Sequence, residues 1–230
     1  MSRRVVEALN LRASKSSLLG TVVMAALLFI PAQTLNYWQA WLFVAVFVSA
    51  SGAITVYLAV HDPALLERRM KIGPGAETRP TQRLVMFFAM AGFIALLVIP
   101  ALDHRWGWTP VPVYMSFVGE GLVVLGFWFV FAVLKENTYG ASTIQVVEGQ
   151  KVISTGPYAL VRHPMYAGAL VLVAGIPLAL GSWSGLVTFV PFAAVLIWRL
   201  VDEEIFLEKN LPGYSEYCRR VRYRLVPSVW

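Results

Sequence analysis

Six apolar runs, each close to the length needed to cross a bilayer, constrain this chain more than any other feature: roughly 18–35, 39–60, 84–101, 112–134, 165–181 and 184–200. Crossing ~30 Å of hydrocarbon takes about 20 mostly apolar residues in helical form. Backbone polar groups in lipid have to be hydrogen-bonded within the segment. The expected fold is therefore all-α, a polytopic transmembrane helical bundle of about six spans. The last two runs are short and separated only by Gly181-Ser182-Trp183-Ser184, so they read as a tight helical hairpin, with Pro177 and Pro191 as kink points. Five spans, with one of these runs lying only partly in the membrane, is the alternative. With 58% of residues hydrophobic and 14% charged, a soluble domain of this size is excluded. The first run is not expected to be a cleaved signal peptide, because no small-residue cleavage site follows it and Pro31 through Trp41 lead directly into another span.

Charge sets the orientation. Of the 19 Lys and Arg residues, 18 fall in four segments of one parity: 1–17, 61–83, 135–163 and the tail from 199 onward. Arg105 alone falls on the other side. Positive charge is retained in the cytoplasm, so both termini are expected there, in the inner or plasma membrane if the source is prokaryotic. Trp38, Trp41, Trp106, Trp108 and Trp183 then fall at the outer ends of spans, where interfacial aromatics belong. This segregation separates the chain from a basic nucleic-acid binder, despite a pI near 9.6. Its single cysteine, Cys218, excludes an internal disulfide and a cysteine-based metal cluster.

By chemistry the chain divides into N-terminal transmembrane helices over 1–110 and a core over 111–230. Nothing in the first part forms a recognisable constellation. His61, Asp62, Glu67 and Arg68 match no usual metal-ligand spacing and read as a solvated loop beside the membrane.

Two polar blocks lie on the cytoplasmic side of the second part. The first runs from Gln145 to Gly168 and contains Gly156-Pro157-Tyr158 and Arg162-His163-Pro164-Met165-Tyr166. Pro164 suits the first turn of a helix, which sets Arg162 and His163 at a helix entrance, where free N–H groups and the dipole favour an anionic group such as a carboxylate. Equally, Arg162 and Tyr166 read as headgroup anchors. The second block, Arg199 through Leu207, continues a helix that has left the membrane. Arg199 and Glu203 are four apart and share a face, with Glu204 beside them. They are either an exposed pair of little worth or one cation and one anion at the mouth of a lipid-lined cavity.

The ordered set of Gly156-Pro157-Tyr158, Arg162-His163-Pro164-Met165-Tyr166, Gly168 and Glu203-Glu204, with Gly213-Tyr214-Ser215-Glu216-Tyr217 and Arg224-Leu225-Val226-Pro227 in the tail, resembles the isoprenylcysteine carboxyl methyltransferase family and its phospholipid methyltransferase relatives. The resemblance covers about 137–230. It implies an integral membrane enzyme that binds S-adenosyl-L-methionine in a cytoplasmic pocket formed by the C-terminal half and methylates a lipidic or prenylated acceptor, with no metal and no nucleic acid involved. It also implies that Gln145, Gln150, Lys151, Val152, Ile153, Tyr158, His163, Pro164, Met165, Tyr166 and Glu203 line the cofactor pocket. Arg162 joins them from its place at the helix entrance. Arg199 falls where the family holds the substrate carboxylate, and Glu204 supports the catalytic site.

A carboxylate acceptor is already ionised at pH 7 and needs no general base; it needs a fork such as the Arg199 guanidinium to hold it in a dry pocket. An amine acceptor, as in a phospholipid N-methyltransferase, needs a base, for which His163 and Glu204 are at hand. Two other classes remain: an NADPH-dependent sterol-type membrane reductase, which shares a similar Gly-Pro-Tyr and Arg-His-Pro-x-Tyr segment, and a non-enzymatic scaffold or transporter. Against the first stands Glu203-Glu204, with no added basic cluster for a 2′-phosphate. The second leaves the clustering of polar residues unexplained.

Overall fold

The computed structural model describes residues 3–109 and 111–230, with side chains from residue 7 onward, so the side chains of Arg3 and Arg4 in the N-terminal basic segment lie outside the described residues. Among the described residues there are eight α-helices and no strand: α1 (Arg3–Ala32), α2 (Trp38–His61), α3 (Pro63–Met70), α4 (Pro80–Trp106), α5 (Val113–Glu136), α6 (Pro164–Ala179), α7 (Gly185–Asn210) and α8 (Tyr214–Arg220). Five of them, α1, α2, α4, α5 and α7, are long and apolar enough to cross a membrane. The expected helical bundle forms, and the run expected at 165–181 is its short member. With 16 residues, α6 is about 24 Å long at 1.5 Å per residue, short of the hydrocarbon thickness.

What seats this short helix is glycine. Gly119 and Gly126 on α5 and Gly168 and Gly175 on α6 are each seven residues apart, two turns, and so line up along facing stripes. A Cβ at Gly126 would lie 2.5 Å from the Cβ of Leu172, one at Gly175 would lie 2.7 Å from the Gly119 carbonyl oxygen, and one at Gly119 would run into the Ala179 backbone. The two helices thus meet backbone to backbone, the packing that small residues allow inside a bilayer. Around them Leu28, Phe43, Leu96, Leu97, Ile176 and Phe192 build the main core, while Trp128, Val187 and Val190 stay exposed on the outside of the bundle.

One end of the bundle is closed by polar knots. The Asp103 carboxylate accepts from the Thr109 backbone N–H at 2.8 Å, the Ser182 hydroxyl at 2.5 Å, the Ser184 hydroxyl at 2.7 Å and the Thr109 hydroxyl, tying the end of α4 to the α6–α7 turn. Nearby, the buried Tyr37 hydroxyl donates to the Leu180 carbonyl at 2.6 Å. Trp38, Trp41, Trp106, Trp108 and Trp183 are all partly exposed at this end. The opposite end, where α4 and α6 begin and α5 and α7 finish, carries the charged segments. There Asp62 caps α3, accepting from the Leu65 N–H at 2.9 Å.

Candidate active site

At the charged end a cavity of about 380 Å³ opens between α4, α6, α7 and the irregular segment 137–155, a volume suited to a small-molecule ligand. Its floor is made by α6 and the turn before it. Residues 156–159 form a single tight turn opened by Gly156, whose φ of 55° places it in the left-handed region. Pro164 then starts α6. This stretch is pinned from behind by the C-terminal segment: Arg162 N–H donates to the Tyr223 carbonyl and His163 N–H to the Arg224 carbonyl, both at 2.9 Å, and the buried Tyr217 hydroxyl of α8 donates to the Tyr158 carbonyl at 2.8 Å.

Gln145, Gln150, Lys151, Val152, Ile153, Tyr158, Arg162, His163, Met165, Tyr166, Arg199 and Glu203 all line the cavity. Pro164 and Glu204 are not on its wall; both are buried behind it. Glu204 instead gathers two guanidinium groups and an imidazole. Arg162 Nε lies 2.7 Å and His163 Nε2 3.1 Å from its Oε1, and Arg224 Nε lies 2.7 Å from its Oε2. Glu203, one residue earlier, faces the cavity and accepts from the Tyr166 hydroxyl at 2.5 Å. The Tyr158 hydroxyl accepts from Asn137 Nδ2 at 2.8 Å. Burial, more than the nearby Glu203 charge, pushes the Tyr158 phenol up to about 12, so it stays protonated and can still donate.

Arg199 does not turn to Glu203. Its Nη1 donates to Gln82 Oε1 at 2.8 Å, and its Nη2 donates to Glu77 Oε1 and to the Ser142 carbonyl, each at 2.8 Å. Gln82 donates in turn to Asp202, which also pairs with Arg79 at 2.8 Å. Arg69, Ile72, Met86 and Ala89 complete the wall on this side. The sequence reading missed these residues of the first 110. Glu77 and Gln82 meet a partner, Arg199, more than a hundred positions away, and no local spacing marks these residues. The available signal was a Glu at 77 and a Gln at 82 bracketing a span start at Pro80, polar groups that need a reason to sit there.

Fold and site together define a class: a helical integral membrane protein with a polar-walled cavity at one end of its spans. Known proteins narrow it. The sequence pattern of the family described as phospholipid methyltransferase matches residues 114–212. A probable protein-S-isoprenylcysteine O-methyltransferase of Oryza sativa subsp. indica is 30% identical over 195 residues, spanning 80% of this chain and 93% of the rice protein. Protein-S-isoprenylcysteine O-methyltransferase B of Arabidopsis thaliana is 27% identical over 153 residues, 60% of this chain and 70% of that one. A Delta(14)-sterol reductase of Mus musculus is 35% identical over 94 residues, but this chain spans only 22% of that protein's length. The chain belongs to the protein-S-isoprenylcysteine O-methyltransferase family.

Proposed function

We propose that this protein is an integral membrane methyltransferase that takes S-adenosylmethionine from the cytoplasmic side and esterifies the carboxylate of a lipidic acceptor, of the prenylcysteine kind named for its rice and Arabidopsis relatives. The observation that carries the reading is a cavity that presents polar and apolar side chains together, with Arg199 among them. Gln145, Gln150, Tyr158, Tyr166 and Glu203 give it polar groups. Met86 and Ala89, which follow Gln82 along one face of α4, Leu196, which precedes Arg199 along one face of α7, and Ala169, which follows Tyr166 on α6, give it apolar lining from three helices.

The polar side chains of the cavity fit the cofactor. Glu203 answers a cationic sulfur or ammonium, Arg162 and Lys151 answer a carboxylate, and the Tyr158 and Tyr166 rings offer flat apolar faces. When bound, this cofactor supplies a methyl group on a cationic sulfur, which passes to an acceptor oxygen as the carbon–sulfur bond breaks. The protein's own contribution is positioning and exclusion of water. Tyr166 fixes the Glu203 carboxylate through its 2.5 Å hydrogen bond, while Glu204 holds Arg162 and His163 from behind. An acceptor tail lies along Met86, Ala89 and Leu196, which brings its head to Arg199. No proton leaves a carboxylate acceptor, so no general base is needed.

Isothermal titration of the detergent-purified protein with S-adenosylmethionine and with NADPH tests the cofactor. Saturable binding of the first and none of the second is expected; the reverse would transfer the protein to the reductase class.

A further inference from the structure

The state of Arg199 deepens this reading, and rests on it. A guanidinium can hold a carboxylate with two parallel hydrogen bonds along only two edges, Nε with Nη2 or Nη1 with Nη2. Both edges use Nη2, and both Nη2 protons are already committed, one to Glu77 Oε1 and one to the Ser142 carbonyl. With these bonds in place no incoming carboxylate can be held bidentately. The carbonyl is part of the cavity wall, since Ser142 is itself tied down through its hydroxyl to the Arg69 carbonyl at 2.8 Å. Glu77 is the looser partner. It is 2% exposed, yet its second oxygen has only the Ile144 N–H, at 3.4 Å. It lies on a short connection before α4, after a turn at Pro74–Ala76 introduced by Gly73 with a φ of 100°. Arg83 Nε already donates to the Glu77 carbonyl at 2.8 Å, so a second cation stands beside the Glu77 backbone.

We infer that Glu77 is a stand-in for the acceptor: it neutralises Arg199 while the site is empty and gives up its guanidinium edge to the acceptor's carboxylate. The exchange replaces one carboxylate by another. Arg199 therefore never stands as an unpaired cation in a partly apolar cavity, a state that is costly. The arrangement also makes Glu77 a specificity residue, because a neutral head such as an amide or an ester gains too little from Arg199 to displace an ionised carboxylate. The finished methyl ester loses its hold in the same way, and the return of Glu77 to Arg199 assists its release.

The test compares unreactive ligands that share one farnesyl thioether tail and end in either a carboxylate or a carboxamide. Their binding is measured on wild type, Glu77→Gln and Glu77→Asp, each saturated with S-adenosylhomocysteine, whose own binding reports that the variant is folded. In Glu77→Gln the competitor loses its charge, and the preference for acid over amide rises about tenfold or more, the scale of one charge-assisted hydrogen bond. Glu77→Asp keeps the charge but withdraws it by one methylene, so the preference rises by a smaller factor. If wild type binds the acid and neither variant binds it with greater preference, Glu77 is no stand-in and the proposed activity still holds. If none of the three proteins binds the acid, there is no acceptor carboxylate for Glu77 to yield to, and both ideas fall together.

Discussion

Neighbouring residues on a helix point about 100° apart, and in α7 that angle separates two tasks carried by adjacent carboxylates. Glu203 faces the cavity with Tyr166 as its partner. Glu204 faces away and holds Arg162, His163 and Arg224. Removing the first takes an anion from the cavity wall; removing the second leaves the largely buried Arg162 guanidinium without its counter-ion. Glu203→Ala is therefore expected to weaken S-adenosylmethionine binding by about 1–3 kcal/mol with little change in melting temperature. Glu204→Ala is expected to destabilise the protein by about 3 kcal/mol or more. Paired titration calorimetry and thermal melts check this, and equal losses of stability in both variants would contradict it. The family resemblance assigns Glu203 to the pocket and Glu204 to its support, but residue spacing by itself does not say which of the two faces the cavity. That depends on the roll of α7 against α6, which packing decides.

At the scale of elements, much is legible in the sequence. Long apolar runs separated by charged segments mark the spans, and Pro164 marks the start of α6, because a proline without an N–H loses nothing in a first turn. The fifth run, 165–181, was visible as short, whereas the sixth, which also read as short, continues into the 26 residues of α7. The depth of packing of the fifth was not visible, since the four glycines that seat it are seven residues apart within each helix and say nothing of each other until α5 and α6 are side by side. Equally invisible was the contribution of α4, for Glu77 and Gln82 find Arg199 only when the bundle closes. The glycine contact gives a direct test. Gly175→Leu places a side chain where even a Cβ lies 2.7 Å from the Gly119 carbonyl and 2.8 Å from the Leu122 side chain. Overpacking of this kind costs about 1–3 kcal/mol or more, and since α6 carries Tyr166 into the cavity, both melting temperature and cofactor affinity should fall. A change of Gly52, which has open space around it, to Leu should do neither.

The molecule as a whole is polarised: Trp38, Trp41, Trp106, Trp108, Trp183 and the Asp103 knot lie at one end, and the cavity with its cationic surroundings at the other. By the distribution of Lys and Arg we propose that the cavity end is cytoplasmic. Reporter fusions after residues 36, 107 and 183 should then report the outer side. A cytoplasmic signal from the fusion at 183 would show that the short α6 does not bring the chain across. The central claim, esterification of a lipidic carboxylate at Arg199, is tested most directly by incubating wild type and Arg199→Lys with S-adenosylmethionine radiolabelled in its methyl group and either a farnesylated cysteine analogue or phosphatidylethanolamine. Lysine keeps the charge but has no fork with which to hold a carboxylate. Base-labile methyl ester on the cysteine analogue is expected with wild type, with a sharp fall in its formation in Arg199→Lys while S-adenosylmethionine binding persists. Base-stable N-methyl product on phosphatidylethanolamine, with none on the cysteine analogue, would contradict the claim.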